Sequence, residues 1–211
     1  MGSRAVTDKR LPQQARAWDT RARLLAAARE AFGARGHDQV NLTEHILKPA
    51  GVSVGSFYLQ FHDKTDLLIA VIDEAAEQRF ARVLGVPDGE AKGSLDTAIR
   101  AVVVGFFASL DADDDLWHIQ LRERANPDPK IKRRILAGRR RWTQQLALVI
   151  RQSTTASASA SERGAAMLVS FATGLAATYL DLPVRERKRG RGAMVEDATN
   201  FAMAGLRSFV G

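Results

Sequence analysis

The chain has 211 residues, room for one domain or two small ones at about 100–200 residues each, and enough to bury a core without covalent staples. Hydrophobic residues make up 45% and charged residues 26%, and the absence of cysteine excludes disulfide frameworks, thiolate metal sites and thiol nucleophiles. The 31 Lys and Arg against 24 Asp and Glu leave a charge of +7, which points to a polyanionic partner, nucleic acid first and a membrane surface second.

Residues 1–7 lead into no apolar run, so no signal peptide is expected and the chain reads as cytoplasmic. The longest uncharged stretch, 164–180, has 17 residues and falls short of the ~20 that span a bilayer. No membrane partner is expected. Period-2 runs and hairpin turns are nearly absent, whereas helical periodicity recurs throughout. An all-α fold of about nine helices is predicted.

Residues 1–18 read as a loose tail. A first helix is predicted over 21–35, capped by Thr20 and ended by Gly36, with Leu24, Ala28, Ala31 and Phe32 as its apolar stripe. A second, short helix opens at Thr43 as N-cap and stops by Ala50, where Gly51 turns the chain. Pro49 lacks the N–H that would bond residue 45, so this helix should end early or distort. A third opens at Ser53 and ends near Gln60; a fourth opens at Asp63, with Asp66 near its positive end. Two short helices across a tight glycine turn form the helix-turn-helix pattern, whose second helix lies in the major groove of DNA. The expected division is a DNA-binding domain over 19–66, with three helices, and a helical bundle over 67–211.

Residues 20–36, Thr43, Ile46, the run Ala50-Gly-Val-Ser-Val-Gly-Ser-Phe-Tyr-Leu-Gln-Phe61 and Asp63-Lys-Thr-Asp-Leu-Leu68 together resemble the tetracycline-repressor (TetR) family. The likeness spans about fifty residues; the rest of the chain matches in helical layout alone. It implies a one-component transcriptional regulator, usually a repressor, all-α and homodimeric, with a ligand pocket in its C-terminal bundle. By position it implies that Thr43 holds a phosphate, that Ser53, Val54, Gly55, Ser56, Tyr58 and Gln60 form the recognition surface, and that Lys64 binds phosphate. Val52, Phe57 and Phe61 correspond to the residues that hold the recognition helix in place. The chemistry agrees. Thr43 presents a hydroxyl near backbone N–H groups, Val54 suits a thymine methyl, Gln60 suits adenine and Tyr58 offers a hydroxyl to phosphate. Glu44 departs from the family pattern. A carboxylate there repels phosphate or accepts from cytosine N4.

Other signals compete. Gly51-Val-Ser53-Val-Gly55 matches the nucleophile elbow of serine hydrolases, but that elbow needs a strand before the serine. Asn41-Leu-Thr43 matches a glycosylation sequon without a secretion signal. His37, His45 and His62 lack metal-ligand spacing, and His118 beside Trp117 reads as a core histidine or a pocket polar group. No catalytic residue, metal or cofactor is expected, so the chain is not read as an enzyme.

Beyond residue 90, helices are predicted over 94–110, 115–125, 129–152, 162–182 and 193–210, separated by breaks that include 85–89, 153–161 and 183–192. The helix over 162–182 is apolar nearly all round and needs cover on two sides. A second copy supplies the second cover, so a homodimer through the eighth and ninth helices is expected. Candidate ligand-binding residues are Phe106, Phe107, Trp117, His118, Leu121, Trp142, Leu146, Met167, Phe171, Thr178 and Tyr179. These faces carry little formal charge, which favours an apolar or aromatic effector over a phosphorylated one.

The charge surplus sits elsewhere. Residues 119–151 hold 10 basic and 2 acidic side chains, and a second cluster, Arg185, Arg187, Lys188, Arg189 and Arg191, fills a predicted loop. The reading that results is a ligand-responsive repressor binding a near-palindromic operator in double-stranded DNA as a homodimer, released by a small, mostly apolar effector. A nonspecific DNA-coating protein and an enzyme with a helix-turn-helix module are the alternatives.

Overall fold

Helical periodicity translates directly into backbone. The computed structural model describes residues 13–84 and 94–210, and among these every regular element is helical. In chain order they are α1 (Gln13–Arg35), α2, α3 (Val54–Tyr58), α4 (Lys64–Leu84), α5 (Leu95–Ala112), α6 (Asp114–Glu123), α7 (Pro129–Ser153), α8 (Ala158–Leu180) and α9 (Val184–Val210). α2 joins a π-helical stretch, Thr43–Leu47, to a last α-turn, Lys48–Ala50. The chain divides into two units, Met1–Val71 and Ile72–Gly211, so α4 begins in the first and ends in the second. The expected break at 85–89 lies outside the described residues, as do residues 1–12 of the expected tail.

In the first unit α1 starts earlier than its sequence signals. It already runs from Gln13, which makes residues 13–18 helical and leaves Thr20 inside the helix rather than at its cap. Leu24, Ala28 and Phe32 are wholly enclosed, and Gly36, at φ +78°, ends the helix with its N–H on the Phe32 carbonyl at 2.8 Å. Phe57 and Phe61 lock α3 onto this core; full burial of a phenylalanine contributes about 2 kcal/mol.

α2 shows the effect of Pro49. A regular α-turn would lack the N–H of residue 49 and press the proline ring on the carbonyl of residue 45. The helix widens instead: the Lys48 N–H reaches the Thr43 carbonyl, five residues back. Gly51 then takes the left-handed conformation (φ 61°, ψ 37°) and turns the chain toward α3. The cap of α2 is not Thr43. Leu42 is already helical, and Asn41 accepts the Glu44 N–H on Oδ1 at 3.0 Å. His45 Nδ1 accepts the Asn41 N–H in return, at 2.9 Å. Asparagine, with a short acceptor, outcompetes the threonine two residues on.

α3 is capped as expected: Ser53 is extended and its Oγ accepts the Ser56 N–H at 3.1 Å. The helix closes at Tyr58, two residues short of Gln60. Asp63 caps α4, accepting the Asp66 N–H at 2.7 Å.

In the second unit α8 packs against α7 and α9, and α5 against α9. One apolar cluster centres on aromatic edges: Phe106 meets Phe107 and Trp117 at 5.4 and 5.5 Å between centroids, and Phe107 meets Tyr179 at 5.1 Å. A second gathers Ile99, Leu146, Ile150, Ala165 and Leu206. Gly164 brings α8 close to α9, since a methyl there would lie 3.0 Å from a Leu206 methyl. α8 begins at Ala158 behind a Ser157 cap, four residues before its expected start. The expected loop over 183–192 is instead the start of α9, where Arg187 and Arg191 pair with Asp114 and Asp111, each at 2.7 Å. α8 is not covered all round: Met167, Gly174 and Thr178 form an exposed strip.

Tyr179 is fully buried and donates its hydroxyl to Asp111 at 2.8 Å. Burial first, then that hydrogen bond and the Asp111 charge, push the phenol up to about 12. The fold favours the neutral phenol. Its contribution is therefore complete below the ordinary tyrosine value of about 10 and disappears as pH rises through the shifted value. Tyr179→Phe is expected to cost about 1–2 kcal/mol at neutral pH and to flatten the fall in stability at alkaline pH. Urea unfolding followed from pH 7 into that range checks both.

Candidate DNA interface and ligand cavity

The helix-turn-helix is held from behind. Arg23 of α1 donates to the Ala50 and Gly51 carbonyls at 2.9 and 3.3 Å, tying the turn to α1. Phe57 points inward, with no exposed surface, and so α3 turns Ser53, Val54, Gly55 and Tyr58 to solvent. Val54 is 51% and Tyr58 59% exposed. Ser56 is half-buried, its hydroxyl 2.9 Å from that of Ser53. Gly55 is informative because the chain does not need it: an added methyl meets nothing within 4 Å. Glycine inside a helix costs up to about 1 kcal/mol against alanine. The vacancy is therefore useful only to something that approaches from outside.

The other expected DNA contacts are placed variously. Thr43 and Glu44 are exposed on the π-helical stretch. The Glu44 carboxylate is held by Lys48 Nζ at 2.7 and 2.8 Å, which offsets its repulsion of phosphate. Gln60 lies past the end of α3, half-buried, its amide 3.5 Å from the Ala17 carbonyl of α1. Lys64 directs two N–H groups to the His37 and Val40 carbonyls, at 2.7 and 2.9 Å, bracing the α1–α2 connection. Ser53 follows a helix and a turn rather than a strand, so the hydrolase elbow is not formed. His62, Asp63 and Asp66 bring three possible metal-ligating atoms within 4.8 Å, but Asp63 is engaged as the cap of α4.

The second unit contains a cavity of about 390 Å³, within the range of small-molecule sites. Among the expected ligand residues, Phe106, Trp117, Trp142, Leu146 and Phe171 lie in its wall. Six lie elsewhere. Phe107 and Tyr179 are in the aromatic core, with Leu121 packed beside it. His118 is partly exposed, its Nδ1–H on the Asp114 carbonyl at 2.8 Å. Met167 and Thr178 are on the exposed strip of α8.

The wall also carries Arg79, Gln120, Arg124, Lys132, Arg139 and Ser170, which corrects the expectation of little formal charge. Arg79 is 3% exposed; its guanidinium donates to Gln120 and lies 4.2 Å over the Trp117 ring. Arg139 donates to Ser170 Oγ at 2.8 Å. A signal for two of these was present: residues 132, 135, 136, 139, 142 and 146 fall on one face of α7, and two of them are cations.

A short, side-chain-capped helix, exposed on one face and braced across a glycine turn, makes α2 and α3 a helix-turn-helix. Residues 24–71 match the model for bacterial regulatory proteins of the tetR family. The whole chain is similar in fold to a transcriptional regulator from Rhodococcus sp. Rha1, with 19% identity and a TM-score of 0.70, over 90% of this chain and 97% of that one. A TetR-family transcriptional regulator from Streptomyces coelicolor is 21% identical with a TM-score of 0.71, over 91% of this chain and 96% of that one. The fatty acid degradation regulator FadR from Bacillus halodurans is 17% identical with a TM-score of 0.73, over 89% of this chain and 96% of that one. No curated protein sequence matches the chain. The family likeness is thus confined to residues 24–71, and over the rest of the chain the comparisons show a shared all-α fold.

Gly55→Ala separates the two demands on α3. It should raise stability by about 0.5–1 kcal/mol and weaken specific DNA binding by roughly tenfold. Thermal unfolding and electrophoretic mobility shift on the same preparation check the opposed signs.

Proposed function

We propose that this chain is a homodimeric repressor that binds a near-palindromic operator through α3 and is released by a small effector with a mostly apolar body. The open surface at Gly55, between Val54 and the Ser53–Ser56 pair, carries the reading, because close backbone approach is what a major groove needs from a short helix. Thr43 and Tyr58 serve phosphates; Ser53, Val54 and Ser56 serve base edges, with Gln60 and Lys64 flanking them.

The dimer forms through α8 and α9. Met167 is 61% and Phe201 63% exposed, and Phe201 stacks on Phe171 at 4.6 Å. Gly174 and Gly205 face open space, and such a surface suits a self-complementary contact with a second copy. Effector binding acts through α4. Arg79 and Val83 lie in the cavity wall, and Lys64, which holds the α1–α2 connection, belongs to the same helix. A ligand that favours one setting of α4 biases the spacing of the two recognition helices.

Duplexes selected from a random pool should converge on a near-palindrome, and a footprint should cover both half-sites. Uniform coverage of unrelated sequences favours nonspecific coating instead. Phe201→Glu should shift the chain from dimer to monomer in sedimentation and lower operator affinity by at least about tenfold. An unchanged dimer removes α9 from the interface.

A further inference from the structure

The cavity wall of the second unit holds Arg79, Arg124, Lys132 and Arg139, and no carboxylate among the described residues. The cations are not scattered. Arg124, Lys132 and Arg139 are exposed and stand at the opening, whereas Ile99, Leu146 and Ala202 are buried at the floor. Along the wall face of α7, Lys132 and Arg139 flank Ile135 and the exposed Leu136, and Trp142 and the buried Leu146 follow. Arg124 follows the last turn of α6, and Lys132 lies in the first turn of α7 across the short connection, with Arg139 two turns further along that helix.

The carboxylates nearby serve other cations. Asp73 pairs with Arg134, Glu77 with Arg141, Asp111 with Arg191 and Asp114 with Arg187. Arg141 holds Glu77 below the ordinary carboxylate range, first through its hydrogen bond. Glu123, buried next to Arg124, accepts from Asn126. Of the mouth cations, Arg139 is met by the neutral Ser170 hydroxyl. A basic opening above an apolar floor selects a molecule with the opposite order of charge.

We infer that the effector is an amphipathic organic anion, with a carboxylate or phosphate head at Arg124, Lys132 and Arg139 and an apolar body against Phe106, Trp142 and Leu146. This rests on the reading of the cavity as the effector site and adds the charge of its occupant. The cavity offers roughly the liquid volume of a dozen waters, enough for a medium-length alkyl chain or a pair of rings.

The test titrates the full-length dimer calorimetrically with decanoate, decyl phosphate, decan-1-ol and decyltrimethylammonium. At least one anion should bind about tenfold or more tightly than the alcohol, and the cation least. Which anion binds tighter separates a carboxylate from a phosphate head. The triple variant R124Q/K132Q/R139Q, altered only at exposed positions, should bring anion and alcohol to within about threefold of each other. Leu146→Trp and, if that variant unfolds, Val103→Phe should block every probe by filling the cavity. Equal binding of anion and alcohol to the wild-type chain overturns the anionic head but leaves the cavity as a ligand site. Binding that neither filling variant weakens, or no binding by any probe, overturns the site reading as well.

Discussion

A helix that stops on a left-handed glycine leaves its last carbonyls aimed past its end, and the helix-turn-helix depends on how they are met. Here one guanidinium does it: Arg23 donates to Ala50 and Gly51 while its Nε holds Asp19 of the same helix. The contact ties the middle of α1 to the turn, and the turn sets where α3 emerges. The buried Phe57 then fixes which face of α3 looks outward. The exposed face of α3 is thus set by Arg23 and Phe57, which are not part of it.

Arginine plays the same bracing part in the second unit, and this changes the meaning of the net charge. The basic stretch over 119–151 first suggests a polyanion-binding face. Arg134 and Arg141 of α7 instead clamp Asp73 and Glu77 of α4, and Arg141 also lies 4.2 Å over the Phe80 ring. Arg187 and Arg191 clamp the α5–α6 corner from α9. Several of the surplus positive charges therefore join helices, and a further few stand at the cavity mouth. The +7 total therefore does not describe a single patch.

What was legible in the sequence was local. Ser53, Gly36 and Gly51 signal a cap, a stop and a turn by residue type alone, and each behaves so. The periodicity of Leu24, Ala28, Ala31 and Phe32 identifies a buried face without knowledge of what covers it. Expectation and structure part where a distant partner decides. Gly190 and Gly192 read as loop, yet α9 passes through them because two arginines one turn apart reach two aspartates on other helices. Thr43 reads as a cap until the Asn41 side chain accepts the Glu44 N–H and the His45 ring accepts the Asn41 N–H first. The cavity was half legible: its aromatic residues follow from helical stripes, but a lysine or arginine on such a stripe is ordinarily counted as solvated surface.

The widened turn at Thr43–Leu47 has a consequence for how such proteins diverge. A π-turn holds one residue more than an α-turn, and one residue is about 100° of helical rotation. Pro49 therefore acts as a phase shifter: it sets the azimuth at which Thr43 and Glu44 face solvent. Where chains of this layout differ at that one position, the exposed side chains of α2 are re-indexed around the helix by a change of angle, with no change in their own letters.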